Sequence, residues 1–117
     1  MKNPHVNLIG HPTTRLLNKR ESSKINFQEF FKVARETNTH LEINSQPLRL
    51  DLPDHYVKEA KSEYGIKFSI NTDAHDIESL KYMPLGIGVA KRGWLTKDDV
   101  INTKNLVEFQ KIIQKNK

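Results

Sequence analysis

Apolar positions along this chain fall into short runs alternating with helical stripes. Val6-Asn7-Leu8-Ile9 is an apolar run halted by Gly10 and Pro12, which predicts a short buried strand. Residues 11–24 are polar, rich in Arg and Lys and without a strong period, so they predict a loop with at most a helical turn. At Asn26 the pattern changes. Phe27, Phe30, Phe31 and Ala34 recur at i, i+3, i+4 and i+7, the stripe of an amphipathic helix, and Thr37-Asn38 ends it. His40–Asn44 reads as a second strand. Residues 45–52 form a loop, and Pro53-Asp54 suits the first turn of a helix whose buried side is Tyr56, Val57, Ala60 and Tyr64, with Gly65 just past its end. Ile66–Ile70 is a third strand that delivers Asn71-Thr72-Asp73-Ala74-His75 into a loop. Ile77–Met83 predicts a short helix stopped near Pro84, and Leu85–Gly93 fits either a strand or a helical turn. Thr96-x-x-Asp99 has a capping spacing, and Leu106, Phe109, Ile112 and Ile113 form the stripe of a last helix.

Strand–helix units in series predict an α/β fold: about three parallel strands, right-handed crossovers and flanking helices. A barrel wall would carry the helices mostly on one side, an open sheet on both. Three parallel strands are few for an independent domain, because parallel sheets are normally covered on both faces. The expectation is one domain over 1–117 that forms a portion of a larger fold.

Composition trims the possibilities. The 117 residues are 36% hydrophobic and 28% charged, polar for a globular chain, but the periodic clustering argues against disorder. No run approaches the ~20 apolar residues of a membrane span, and the N-terminus lacks a secretory apolar region. There is no cysteine, which removes disulfides, thiol nucleophiles and Cys-zinc sites and is compatible with the cytoplasm. The net charge of +5 permits an acidic partner such as nucleic acid, although ends such as QKIIQKNK read equally as a solvated lysine-rich face.

Functional groups of parallel α/β folds collect after the carboxyl ends of the strands. That rule brings together His11, Asn44 with Ser45-Gln46, and Asp73 with His75. Imidazole and carboxylate are good ligands for Zn²⁺ or Mn²⁺. A lone D-x-H is a weak signal, since Asp76 could simply cap the next helix, but His11 at another strand end strengthens it. Guanidinium is a preferred phosphate fork, and Arg15, Arg20 and Arg49 flank the same rim. Arg49 is the first choice for phosphate, while Glu21 or Asp51 could equally hold Arg15 and Arg20 in salt bridges. Glu42 reads better as a buried structural partner of a Lys or Arg than as a ligand. Asn44 points to the same side, higher up, where it could hydrogen-bond a water of the site. Trp94 reads as packing rather than base stacking.

The segments NLIGHPTTRLLNKRE, LEINSQPLRLDLP, IKFSINTDAH and LGIGVAKRGWLTKDDVINT together resemble successive blocks of the PHP (polymerase and histidinol phosphatase) domain. In particular they resemble the one at the C-terminus of bacterial family X DNA polymerases. The resemblance covers nearly the whole chain. It implies a distorted (β/α)₇ barrel with up to three divalent ions, Mn or Zn, and hydrolysis of phosphoesters. It also implies a part in manganese-dependent 3′–5′ exonuclease and 3′-end processing in DNA repair, with DNA and the rest of the polymerase as partners. His11 matches the family's GHP motif, and Asp73 and His75 its D-x-H motif; all three are metal ligands there.

The family's opening H-x-H pair does not occur in this sequence. The chain therefore reads as the last third to half of such a domain, catalytically dead or nearly so on its own. Unpaired edges and uncovered helix faces would favour self-association. The competing expectation is a non-catalytic structural or DNA-binding module that retains a residual barrel.

Overall fold

The computed structural model describes residues 1–115. Three strands, β1 (Leu8–Ile9), β2 (His40–Asn44) and β3 (Phe68–Asn71), form one parallel open sheet in the order β1-β2-β3. The helices are α1 (Phe27–Glu36), α2 (Asp54–Tyr64), α3 (Met83–Arg92) and α4 (Leu106–Ile113). This is the expected α/β architecture, consistent with part of a (β/α) barrel.

The helix ends follow from local chemistry. The Asn26 side chain accepts from Glu29 N–H and starts α1; Asn105 does the same for α4 through Glu108 N–H. Gly65 closes α2 at φ 67°, a left-handed conformation that glycine adopts without steric cost. Thr96 and Asp99 form a reciprocal capping box around a short 3₁₀ turn.

Strand alternation sorts the sheet into two unlike faces. Leu41, Ile43, Phe68 and Ile70 join Phe27, Phe31 and Ala34 of α1, Val57 and Ala60 of α2, and Val89 and Ala90 of α3 in one buried cluster. Phe27 stacks on Tyr56 at 4.0 Å between ring centroids, tying α1 to α2. Burial of each large apolar side chain is worth about 1.5–3 kcal/mol, and this shared cluster holds the crossovers on the sheet. Glu42, Asn44, Ser69 and Asn71 occupy the alternate positions, so the other face is polar. That division is the arrangement expected of a barrel wall.

Several expectations need correction. Strand β1 is only two residues, and β3 is displaced toward the rim, ending at Asn71. Pro84 does not stop a helix: a 3₁₀ segment over Glu78–Tyr82 runs directly into α3, with Pro84 in its first turn, where the missing N–H costs nothing. Leu85–Gly93 is therefore helix through Arg92, not a strand. Gly93 is required by packing, because a Cβ there would lie 2.5 Å from Val57 Cγ1. Trp94 is not buried packing; it is 64% exposed, at φ 63°, with the Lys58 ammonium 3.6 Å above its ring. The outer edge of β3 is not open either. The Asn102 side chain accepts from Ile70 N–H at 3.1 Å and donates to Ile70 C=O at 2.7 Å, as a neighbouring strand would, and Val100 bridges Phe68. Apolar helix surface does stay exposed, notably Leu106 and Val107 of α4.

Candidate functional site: the carboxyl rim of the sheet

The three strands end on one rim, and hydrogen bonds knit their loops together. At its centre is Glu42, 8% exposed, on β2. Its Oε2 accepts from His11 N–H at 2.6 Å and its Oε1 from Asn71 Nδ2 at 2.9 Å, so one carboxylate links all three strand ends. The partners are amide groups, not the Lys or Arg expected from the sequence. Asn44, fully buried, donates from Nδ2 to Asp73 Oδ2 at 3.0 Å and, more weakly, to Glu42 Oε2 at 3.4 Å. Its Oδ1 accepts from Gln46 N–H at 3.0 Å. Its polar atoms are thus already engaged within the protein.

Asp73 and His75 lie where the strand period put them. Asp73 sits at φ 53° in the left-handed region, costly for a residue other than glycine and eased for Asp by its short polar side chain. Its carbonyl accepts from His75 Nδ1 at 2.7 Å and from Gln46 Nε2 at 3.0 Å. Because a carbonyl only accepts, this contact makes Nδ1 the donor, so that in the neutral ring the lone pair is on Nε2. The ring is 82% exposed. Asp76 accepts from Ser79 N–H and Oγ at 2.8 Å each, the structural capping role considered for it from the sequence.

The arginines separate into two classes. Arg15 donates from Nε to Arg49 C=O at 2.7 Å and from Nη2 to Leu50 C=O, which commits it to holding the 49–50 loop. Arg20 donates to Thr14 C=O at 2.9 Å. Neither makes the salt bridge considered for it. Arg49 alone faces the acidic loop, its Nε 3.7 Å from Asp73 Oδ2. With Gln46, Asp73, His75, Asp76 and neighbours it lines an open cleft of about 340 Å³. Beneath the loop, Asp51 is fully buried and takes Thr13 N–H on both carboxylate oxygens at 3.1 Å. Burial pushes its carboxyl above the usual carboxylate range, against the opposing pull of those hydrogen bonds and of Arg15.

Among the described residues, no three His, Asp or Glu side chains come together closely enough to hold an ion. The donor types nonetheless fit part of a coordination sphere: His75 has an exposed ring, Asp73 a carboxylate, and His11 a buried Nδ1 that has no hydrogen-bond partner among the described residues. Sequence reasoning missed Gln46 as a clamp and the amide partners of Glu42. Its grouping of Asn44, Ser45 and Gln46 at a strand end was the available signal.

The carboxyl rim of the parallel sheet thus bears imidazole, carboxylate and one cleft-facing guanidinium. No protein-family model matches the chain. Over 116 residues, 99% of its length, it is 39% identical to the DNA polymerase/3′-5′ exonuclease PolX of Bacillus subtilis (strain 168). It is also 28% identical over 109 residues, 88% of its length, to probable phosphatases of Thermoanaerobacter sp. (strain X514) and Thermoanaerobacter pseudethanolicus. The chain spans 20% of the polymerase's length and 42% of each phosphatase's. The resemblance read from the motifs, to the C-terminal part of the PHP domain of a family X polymerase, is borne out. Among the described residues, no helix is long and apolar enough to cross a membrane.

Proposed function

We propose that this chain forms part of a metal-dependent phosphoesterase unit of a family X polymerase, acting in 3′–5′ exonuclease or 3′-end processing of DNA. The observation that carries the proposal is the rim loop itself: His75 Nδ1 donates to Asp73 C=O, and His75, Asp73 and Arg49 line the same cleft. His11, Asp73 and His75 are the proposed ligands of divalent ions, Mn²⁺ or Zn²⁺, whose coordination is completed by groups elsewhere in the polymerase. Such an ion supplies Lewis-acid polarisation of a phosphoryl oxygen and a hydroxide nucleophile near neutral pH. Arg49 is the proposed phosphate contact, since it lines the cleft and its bond to a backbone carbonyl, from Nη1 to Arg15 C=O, is long at 3.5 Å, whereas Arg15 and Arg20 tie loops through shorter ones and lie outside the cleft. The proposed setting is the cytoplasm, with DNA and the rest of a polymerase chain as partners.

With three ligands and an open cleft, turnover by the 117-residue chain alone is expected to be very low. A phosphodiesterase assay with Mn²⁺, run beside Asp73→Ala, tests this. Robust turnover lost in the variant would establish the site and refute the low activity. A second reading, a non-catalytic module that contacts DNA through its basic loops, is favoured by one observation: no three ligands converge among the described residues. DNA affinity that falls steeply with salt, with no Mn²⁺ or Zn²⁺ bound, would select it.

A further inference from the structure

We infer that Gln46 is a positioning residue: it clamps the left-handed turn at Asp73 and thereby presents His75 as the Nδ1–H tautomer with Nε2 free. This rests on the ligand role proposed above for His75, but its geometry stands independently.

Gln46 is itself held firmly. Its N–H donates to Asn44 Oδ1 at 3.0 Å, and its carbonyl accepts from Arg49 N–H at 2.8 Å and Leu50 N–H at 2.9 Å. Asn44 and Asp51 close the base of that loop by pairing backbone to backbone. With the backbone fixed on both sides, the side chain crosses to the next loop. There Nε2 donates to Thr72 C=O at 2.9 Å and to Asp73 C=O at 3.0 Å. Both targets are acceptors, so the amide orientation is set by chemistry: only its NH₂ end can face them.

The clamp acts at the point of strain. Asp73 at φ 53° has an extended or right-handed alternative, and two hydrogen bonds to consecutive carbonyls oppose that relaxation. Asp73 C=O is also the acceptor for His75 Nδ1, so the carbonyl that Gln46 orients is the one that fixes the imidazole proton. A ring that is 82% exposed has little else to orient it. Asn44 works in parallel on the carboxylate through Asp73 Oδ2. The D-x-H loop is thus positioned from the loop that follows β2, through the Gln46 side-chain amide.

Histidine-selective ¹⁵N NMR of the full 117-residue chain tests the inference, well above the usual histidine pKa of about 6.5. The expected result is an Nδ1–H tautomer for His75 in the wild type and a shift toward the Nε2–H form in Gln46→Ala. Gln46→Glu, which sets oxygens against two carbonyls, is expected to shift it further. A wild-type His75 in the Nε2–H form overturns the inference without any variant, so misfolding of a variant cannot protect it. An unchanged tautomer in a folded Gln46→Ala also overturns it. Titration with Zn²⁺ alone supplies a second arm, in which the variant binds about 10-fold or more weakly, the usual effect of removing an outer partner of a ligand. If Zn²⁺ binds both proteins equally while the tautomer shifts, the role of Gln46 in setting the ring stands and its link to metal binding fails.

Discussion

The closed edge of β3 can be opened by one substitution. Asn102 reaches both the N–H and the C=O of Ile70, at 3.1 and 2.7 Å, and Ile70 is only 7% exposed. In Asn102→Ala both groups lose their partner. A net hydrogen bond is worth about 0.5–1.5 kcal/mol, and a buried group left unsatisfied costs about 1–3 kcal/mol. Asn102 is itself exposed, so water can re-enter and restore part of each bond. The expected loss is therefore about 1–3 kcal/mol, or roughly 4–12 °C in melting temperature for a domain of this size.

Asn102→Asp separates the hydrogen bonds from mere bulk. Its carboxylate can still accept from Ile70 N–H but opposes Ile70 C=O, so near neutral pH it should be destabilised at least as much as the alanine variant. Protonation restores the donor, which raises the introduced carboxyl's folded pKa above its unfolded value. Relative to wild type at the same pH, the deficit should then shrink as pH falls through that raised value. Urea unfolding followed by far-UV circular dichroism measures both variants. An Asn102→Ala loss below about 0.5 kcal/mol would sink the reasoning, as would an Asn102→Asp protein as stable as wild type at neutral pH.

Other perturbations test other joints. Gly86→Ala puts a Cβ 2.0 Å from Ser45 Oγ and 2.8 Å from Ile70 Cγ2; since Ser45 is fully buried, overpacking should cost about 1–3 kcal/mol in thermal unfolding. Burial raises the Asp51 carboxyl, so its contribution to stability declines as pH climbs from 3.8 through the raised folded value. Asp51→Asn should remove that slope from a plot of unfolding free energy against pH. Leu106 and Val107, 69% and 60% exposed, are the proposed seat of self-association. Changing both to Lys should lower the mass seen by light scattering at high concentration while moving stability by no more than about 0.5 kcal/mol each, and a wild-type chain that is already monomeric there would remove the proposal.

Elements whose signal is local were legible in the sequence. The Phe27–Ala34 stripe, the Asn26 cap, Gly65 and the five residues of β2 need only neighbours in the chain to explain them, and each appears where the pattern put it. Pro84 shows the limit of local reading. Proline opens a helix as readily as it ends one, and the close approach of Gly86 in that helix to Ser45 is a contact across the fold that no local pattern reports. Asn102 is a stronger case, because an amide 32 residues from Ile70 cannot be read as a substitute strand until the chain has closed.

The candidate site divides along the same line. Strand period and the carboxyl-end rule place Asp73 and His75 without tertiary information, but the fate of each arginine depends on loop closure. Arg15 and Arg20 look like phosphate forks in the sequence and serve as loop ties in the fold, which leaves Arg49 to face the cleft. That remaining pair is weakly armed. Arg49 and Asp73 stand 3.7 Å apart with side chains 19% and 30% exposed, beside a histidine ring that is 82% exposed. Charges in contact with water interact through a high dielectric and contribute little. Stabilising a phosphoryl transition state requires fixed dipoles in a site from which water is excluded. The exposure of the rim is therefore a second physical reason, beside ligands that do not converge among the described residues, to expect little turnover until something covers it. A surface that buries His75 while leaving Nε2 directed at the cleft would raise the value of every charge already in place.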